Sequence, residues 1–298
     1  MRRVAFVGLG AMGLPMARNL VRGGFDVAGF DPRQQAAQAL AQAGGRAADS
    51  AQAAADGADV ALVIPLNAAQ VRQAVLEPGG VLDGLASGGT VVVMATIGPP
   101  AMREIAQAVQ ARGGQVVDAP VTGGAQGAEA GQLTIIAAAP DTVLDGVRPV
   151  LEPMSRVVHH VGGEPGQGQF VKLLNQLLVG VHIVAASEVA AITAAAGVDL
   201  RRVYDVLCDG FGRSEVFAAR VKSVLDGNLV TGGSLEIFLK DLPLALDAAA
   251  ELNVPAFTLA SALQVVRLAA RSLAPGADDA ALIAWAAEVA GRPPSRPG

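Results

Sequence analysis

The segment "VAFVGLGAMGLPMARNL" constrains this chain more than any other. A short apolar run leads into Gly8, Gly10 and Gly13, spaced G-x-G-x-x-G. A lone triplet of this kind says little. Here it follows a strand-like run and opens a helix-like one, and the next strand-like run ends at Asp31 in "DVAGFD". Each glycine then has a physical task. Gly8 permits a tight turn, Gly10 lets the backbone approach a pyrophosphate, and Gly13 allows a helix to lie close on a strand. Ala11 and Met12 complete the turn, whose free helix N–H groups suit an anion. Asp31 is placed to accept hydrogen bonds from a ribose diol and to repel a 2′-phosphate. That points to NAD, with NADP as the alternative because Arg33 lies two residues on.

The first half continues in the same style. "DVALVI" (59–64), "TVVVM" (90–94), "QVVDA" (115–119), "LTIIAA" (133–138) and "RVVHHV" (156–161) are apolar, rich in β-branched residues, and bounded by Gly, Asp or Pro. Ala-, Gln- and Leu-rich stretches of helical length separate most of them. The alternation predicts α/β architecture, a doubly wound, mostly parallel sheet of Rossmann type. Ligands of such sheets bind at the carboxyl ends of the strands. That singles out Pro65 and Leu66 in "IPLNAAQ" and Thr96 in "MATIGPP", with Thr96 placed to hydrogen-bond near a nicotinamide.

The pattern stops at "VGGEPGQG" (161–168). Beyond it strand signals vanish and long Ala/Leu/Val helices follow. The first of them, from about residue 168 to 196, is apolar on nearly every face and reads as buried all round. The division expected is a nucleotide-binding domain over 1–163 and an all-α substrate and oligomerisation domain over 164–298.

Composition narrows the partners. A net charge of −5 without a basic block argues against nucleic acid. Cys208 is the single cysteine, so no internal disulfide forms and a reducing compartment is expected. Glycines break the apolar run behind the N-terminal arginines, which weakens a secretion reading. No stretch reaches the ~18 uninterrupted apolar residues of a membrane span. A soluble, cytoplasmic protein with no membrane partner is expected, with the tail "GRPPSRPG" unstructured.

The chemistry-bearing residues lie further on. Thr122, Gly123 and Gly124 offer a hydroxyl and consecutive unobstructed N–H groups, a nest for a carboxylate or simply a flexible connector. Lys172, Asn175 and Gln176 interrupt the greasy run "GQFVKLLNQLLVG". Residues three apart share a helix face, so Lys172 and Asn175 point together. A lysine in apolar surroundings has a lowered pKa and can exchange a proton near neutrality, as alcohol oxidation requires. A snorkelling lysine is the plain alternative. Lys240 and Asp241 interrupt "FLKDLPLAL" in the same way, as a surface ion pair or as a lysine directed to cofactor or substrate. His159, His160 and His182 have no metal-ligand spacing, and no metal site is expected.

Taken in order, "GLGAMGLPMARNL", "DAPVTGGAQGAEAGQLT", "GQGQFVKLLNQ" and "FLKDLPLAL" resemble the β-hydroxyacid dehydrogenase family over nearly the whole chain. "NQLLVGVHIVAASE" and "LEIFLKDLPL" are most like its L-threonate-oxidising branch. The resemblance implies hydride transfer between NAD and a small β-hydroxy acid of the L-threonate, 3-hydroxyisobutyrate or glycerate/tartronate semialdehyde type. It implies Lys172 as general acid/base. Thr122, Gly123, Gly124 and Asn175 would hold the substrate, and Thr96 and Lys240 would contact the cofactor. A homodimer or homotetramer is implied as well. Four positions depart from the pattern: Thr122 replaces a common serine, Gln176 a second asparagine, and Arg213 and Glu215 stand where relatives carry asparagine and a large apolar residue. An imine reductase and a non-catalytic dinucleotide-binding scaffold of the same fold are the alternatives, and such relatives lack the lysine. A decarboxylating relative acting on 6-phosphogluconate fits less well, because the chain is short and has no evident arginine cluster for a phosphate.

Overall fold

The computed structural model describes residues 3–291. The expected unstructured tail therefore lies, apart from Gly291, outside the described residues. Nine strands form one sheet: β1 (Arg3–Val7), β2 (Asp26–Phe30), β3 (Arg46–Ala47), β4 (Val60–Val63), β5 (Thr90–Val93), β6 (Gln115–Asp118), β7 (Val121–Thr122), β8 (Leu133–Ala138) and β9 (Ser155–Gly162). The order is β3-β2-β1-β4-β5-β6-β8-β7, with β9 also paired to β8. Strands β1 to β6 are mutually parallel, β8 runs antiparallel to β6 and β7, and β9 returns parallel to β8. All seven strands expected from the sequence are present. The two additional ones, "RA" and "VT", are only two residues long and leave no periodic trace.

Alternation across each strand divides the core between the two faces of the sheet. Val4, Phe6, Leu62, Val92 and Val117 pack into one buried cluster. Ala5, Val7, Ala61, Val63, Val91 and Val93 pack into the other. The helix Gly13–Arg22 puts Met16 and Leu20, four residues apart, into the first cluster. This double burial is why the central strands read as continuous apolar runs.

After β9 every regular element among the described residues is helical: Gln167–Ala196, Leu200–Asp209, Glu215–Leu225, Leu235–Glu251, Phe257–Ala269 and Ala281–Val289. Asp199, Ser214 and Ser234 start three of them, their side chains accepting hydrogen bonds from Arg201, Phe217 and Glu236 N–H groups. The protein divides into two compact units, Met1–Lys172 and Leu173–Gly298. The division falls inside the long helix rather than at the Gly/Pro break near residue 163. The helix's first turn is hydrogen-bonded to Asp118 of the first unit, so it belongs there.

The expectation that the long helix is buried all round needs correction. Leu173, Ile183, Ala186 and Ala190 are buried, but Leu174, Leu178 and Ile192 are exposed, Ile192 by 70%. The sequence pattern misled because apolar residues cover both sides, and only packing separates them. By length and composition this helix is also long and apolar enough to cross a membrane, although no uninterrupted apolar run is. On its buried side it packs closely: Gly180 faces Leu242, and a β-carbon there would lie 2.8 Å from Leu242 Cδ2.

Candidate active site

The nucleotide end is assembled at the carboxyl edge of β1, β2, β4 and β5. Gly8 has φ +95°, a left-handed conformation that disfavours a side chain, and a β-carbon there would lie 2.9 Å from the Ile64 carbonyl. A β-carbon on Gly13 would lie 1.8 Å from Gly8 O, so the helix rests directly on the turn. At Gly10 a β-carbon would meet only Arg33 Nη2, at 3.6 Å. Two glycines are thus fixed by close packing, while Gly10 keeps the backbone open on the side where a pyrophosphate would approach. No side chain caps the helix Gly13–Arg22, and its first turn carries no acidic residue. A dinucleotide phosphate fits this end. Ala11 is exposed and Met12 half-buried in the same turn.

Asp31 is buried, and both its carboxylate oxygens are engaged. Leu9 N–H donates to Oδ2 at 2.8 Å, and Arg33 donates from N and Nε to Oδ1, both at 2.9 Å, and from Nη2 to Oδ2 at 3.1 Å. Burial pushes the Asp31 carboxyl up, but the Arg33 and Leu9 hydrogen bonds outweigh it and hold the group below the usual carboxylate range. Arg33, which left NADP open as the alternative in the sequence, is here the partner of the acid. Beyond β4, Leu66 is exposed and its N–H donates to Gln70 Oε1 at 3.0 Å, which shapes the Pro65–Leu66 loop.

Thr96 lies half-buried in the loop after β5. Gln169, which the sequence reading passed over, holds this loop from the long helix. Its Nε2 donates to Ala95 O at 3.1 Å, and its Oε1 accepts from Ile97 N at 2.8 Å and Gly98 N at 3.1 Å. The same Nε2 donates to Asp118 Oδ1 at 2.9 Å. Asp118 Oδ2 in turn accepts from Gly166 N and Gln169 N. Both side chains are fully buried. The signal available in the sequence was polarity in an apolar context: an acid closing "QVVD" and an amide in "GQFVK".

Thr122 closes β7 and is half-buried; Gly123 (φ +128°) and Gly124 (φ +64°) follow it, exposed, in conformations that favour glycine. The segment is therefore a strand end that passes through Gly123 directly into the helix Gly124–Ala130. Lys172 is buried, with 7% of its surface exposed. That removes the snorkelling reading of the sequence. Within the helical unit, Asn175 Nδ2 donates to Gln176 Oε1 at 3.1 Å, and Gln176 Nε2 donates to Asp241 Oδ2 at 2.7 Å. Lys240 Nζ reaches Asp241 Oδ1 at 2.5 Å. Asp241 is only 2% exposed, so its pairing with Lys240 is internal and not a surface ornament. Gln176, a departure from the family pattern, links Asn175 to this acid.

Arg213 is half exposed and pairs with Glu215 at 3.5 Å. His160 places Nε2 2.9 Å from both Ala139 O and Gly162 O, a structural arrangement. Among the described residues, no three His, Cys, Asp or Glu side chains come together as metal ligands.

A glycine turn that a phosphate fits, at the carboxyl edge of a parallel sheet with a buried acid at the end of the next strand, is the arrangement of a dinucleotide-binding protein. The comparisons with known proteins agree. The family model for the NAD binding domain of 6-phosphogluconate dehydrogenase matches residues 3–162. The model for the NAD-binding of NADP-dependent 3-hydroxyisobutyrate dehydrogenase matches residues 166–286. The chain is similar to L-threonate dehydrogenase of Escherichia coli O6:H1 (strain CFT073), with 38% identity over 281 residues covering 94% of this chain and 93% of the relative. It is 34% identical to 2-(hydroxymethyl)glutarate dehydrogenase of Eubacterium barkeri over 264 residues, covering 88% of this chain and 87% of that one. The crystal structure of 3-hydroxyisobutyrate dehydrogenase from Salmonella typhimurium matches with a TM-score of 0.86 at 37% identity, covering 95% of this chain and 99% of that one. The chain belongs to the β-hydroxyacid dehydrogenase family, that of 3-hydroxyisobutyrate dehydrogenase. It is an NAD(P)-dependent enzyme acting on the hydroxyl of a small hydroxy acid, and neither the imine reductase nor the scaffold reading is supported.

The buried acid makes stability depend on pH. Burial pushes the Asp118 carboxyl up, to about 6, against hydrogen bonds from the Gln169 side chain and from Gln169, Gly166 and Gly168 N–H groups. Unfolded, the same group titrates near 3.9. The folded chain therefore keeps a proton that the unfolded chain releases. The associated stability is fully present below about pH 4 and is lost as pH rises through about 6. Asp118→Asn does not titrate. Measured by urea unfolding, the wild type should lose on the order of a few kcal/mol relative to the variant between pH 4 and pH 7. A difference that stays constant over that window would contradict a raised Asp118 pKa.

Proposed function

We propose that Lys172 is the general acid/base for hydride transfer between NAD and a small β-hydroxy acid. The observation that carries this reading is the burial of Lys172 in the first turns of a helix that presents Asn175 one turn further on. In the oxidative direction, uncharged Lys172 Nζ takes the substrate hydroxyl proton; in reduction it returns that proton to the carbonyl oxygen. The dinucleotide, when bound, supplies the acceptor or donor of the hydride. Asn175 orients the hydroxyl, its amide fixed by the hydrogen bond to Gln176. Thr122, Gly123 and Gly124 receive the substrate carboxylate through a hydroxyl and backbone N–H groups. Gly8, Gly10, Ala11, Met12 and Gly13 cradle the pyrophosphate, and Asp31 takes the ribose. Pro65, Leu66, Thr96 and Lys240 complete the cofactor contacts.

For the substrate, we propose a hydroxyl-tailed acid of the L-threonate class. The relatives that act on L-threonate support this, as does the pairing of Arg213 with Glu215, which leaves the guanidinium engaged within the chain. The test is NAD reduction with L-threonate, D- and L-glycerate, 3-hydroxyisobutyrate, serine and a hydroxy dicarboxylate, which Arg213 would pair with if it faced the substrate, repeated with NADP. Faster turnover of a dicarboxylate than of L-threonate would reverse the assignment. We further propose a homodimer or homotetramer. Among the described residues, every exposed large apolar side chain except Leu66 lies in the helical unit, from Leu174 to Val289, and a second copy of the chain packed there would cover them.

Lys172→Ala should still bind NAD, as read by fluorescence titration, while turnover falls by about 100- to 10,000-fold. Near wild-type turnover would remove Lys172 from the mechanism. The wild type should prefer NAD. Asp31→Ser with Arg33 kept removes the like-charge repulsion and releases the guanidinium, and should raise the NADP/NAD ratio of kcat/KM at least ~10-fold. A wild type that uses NADP better would overturn the role given to Asp31. Light scattering at micromolar protein should give two or four chain masses, and a monomer would refute the oligomer.

A further inference from the structure

Helix starts leave N–H groups without intrahelical partners. At the start of Gln167–Ala196 these groups are met by a carboxylate from far along the chain. Asp118 Oδ2 accepts from Gly166 N at 2.9 Å and from Gln169 N at 3.1 Å. The contact is close. A β-carbon on Gly168 would lie 2.8 Å from Ile136 O and 3.0 Å from Asp118 Cγ, so the first turn lies directly on the end of β6 and on β8. Gln169 then uses its whole amide. Both donors and both lone pairs are engaged: Asp118 Oδ1 and Ala95 O accept, and Ile97 N and Gly98 N donate. The amide therefore holds the carbonyl that precedes Thr96 and the N–H groups that follow it. Lys172 lies three residues beyond Gln169 on the same helix, so it shares a face with that amide.

We propose that Asp118 and Gln169 are positioning residues that set Lys172 in register with the Thr96 loop for proton and hydride transfer. The inference rests on the assignment of Lys172 above. Neither residue touches substrate in this role. Gln169 locks the helix to the loop after β5, and Asp118 locks the same turn to β6, three residues before the Val121–Thr122 strand. Burial raises the pKa of this acid, and three of the hydrogen bonds that offset the shift come from the first turn it holds. Placement errors of about 1 Å cost on the order of 100-fold in rate, so a clamp on a helix start is a direct means of control.

The experiment compares Gln169→Met, which keeps the length but removes all four hydrogen bonds, with Gln169→Asn, which keeps the amide but shortens its reach. Both are measured beside Lys172→Ala, with kcat, substrate KM, NAD affinity by fluorescence, and unfolding midpoint. Gln169→Met should fold, with a lower midpoint, NAD affinity within about threefold, substrate KM little changed, and kcat reduced about 100-fold. Gln169→Asn should fall between it and the wild type. A folded Gln169→Met with wild-type kcat, or a loss confined to KM or NAD affinity, would overturn the proposal. So would failure of both Gln169 variants to fold, since the pair would then be a stability element only. Lys172→Ala separates the two readings: if it retains turnover, the catalytic assignment fails. If it abolishes turnover while folded Gln169 variants keep theirs, only the positioning role fails.

Discussion

The helix Gly13–Arg22 rests on the turn after β1 because position 13 has no side chain. A single β-carbon there would sit 1.8 Å from the carbonyl of Gly8. Shifting the helix outward would separate Met16 and Leu20 from the core they fill and would move the turn proposed to receive the cofactor phosphate. Binding and stability thus make the same demand on one residue. The parallel order β2-β1-β4-β5 then gathers Asp31, the Pro65–Leu66 loop and Thr96 at one edge of the sheet. That edge follows from chain direction: parallel strands all end on the same side, and the loops that follow them meet there.

The polar residues of the long helix obey a second constraint. Buried amides and charges are tolerated when every capacity is satisfied, and costly otherwise. Gln169 satisfies both ends of its amide within the first unit. Gln176 does so within the second, between Asn175 and Asp241. The greasy segment carries these groups without penalty because each is part of a closed network. An apolar replacement of either amide would leave a buried partner unsatisfied, at a cost of about 1–3 kcal/mol per group.

Much of the fold was legible because its signals are local. Val4–Gly8, Asp59–Ile64 and Thr90–Met94 announce buried strands by composition, and the glycine triplet fixes the first turn. The two-residue strands at Arg46 and Val121 were silent, since nothing periodic fits into two positions. The long helix was legible as a helix, but not in its burial: Leu173 and Leu174 are chemically identical and end on opposite sides, one buried and one exposed. At the candidate site, Lys172 and Asn175 stood out as polar interruptions at helical spacing. Asp118 and Gln169 did not, because their significance lies in contacts across 51 residues of chain.

The sequence by itself determined the order of elements, the nucleotide-binding turn, the acid that follows β2 and the lysine placed in an apolar helix. These depend on spacing along the chain and on the conformational freedom of glycine, both of which are written in the residues. Only the tertiary structure decided that Arg33 is the partner of Asp31, that Asp241 is buried and paired with Lys240, and that Gln169 joins the lysine helix to the Thr96 loop. Hydrogen bonds of this kind require two groups within about 3 Å. Distance in space between residues far apart in sequence is set by how the sheet and helices pack.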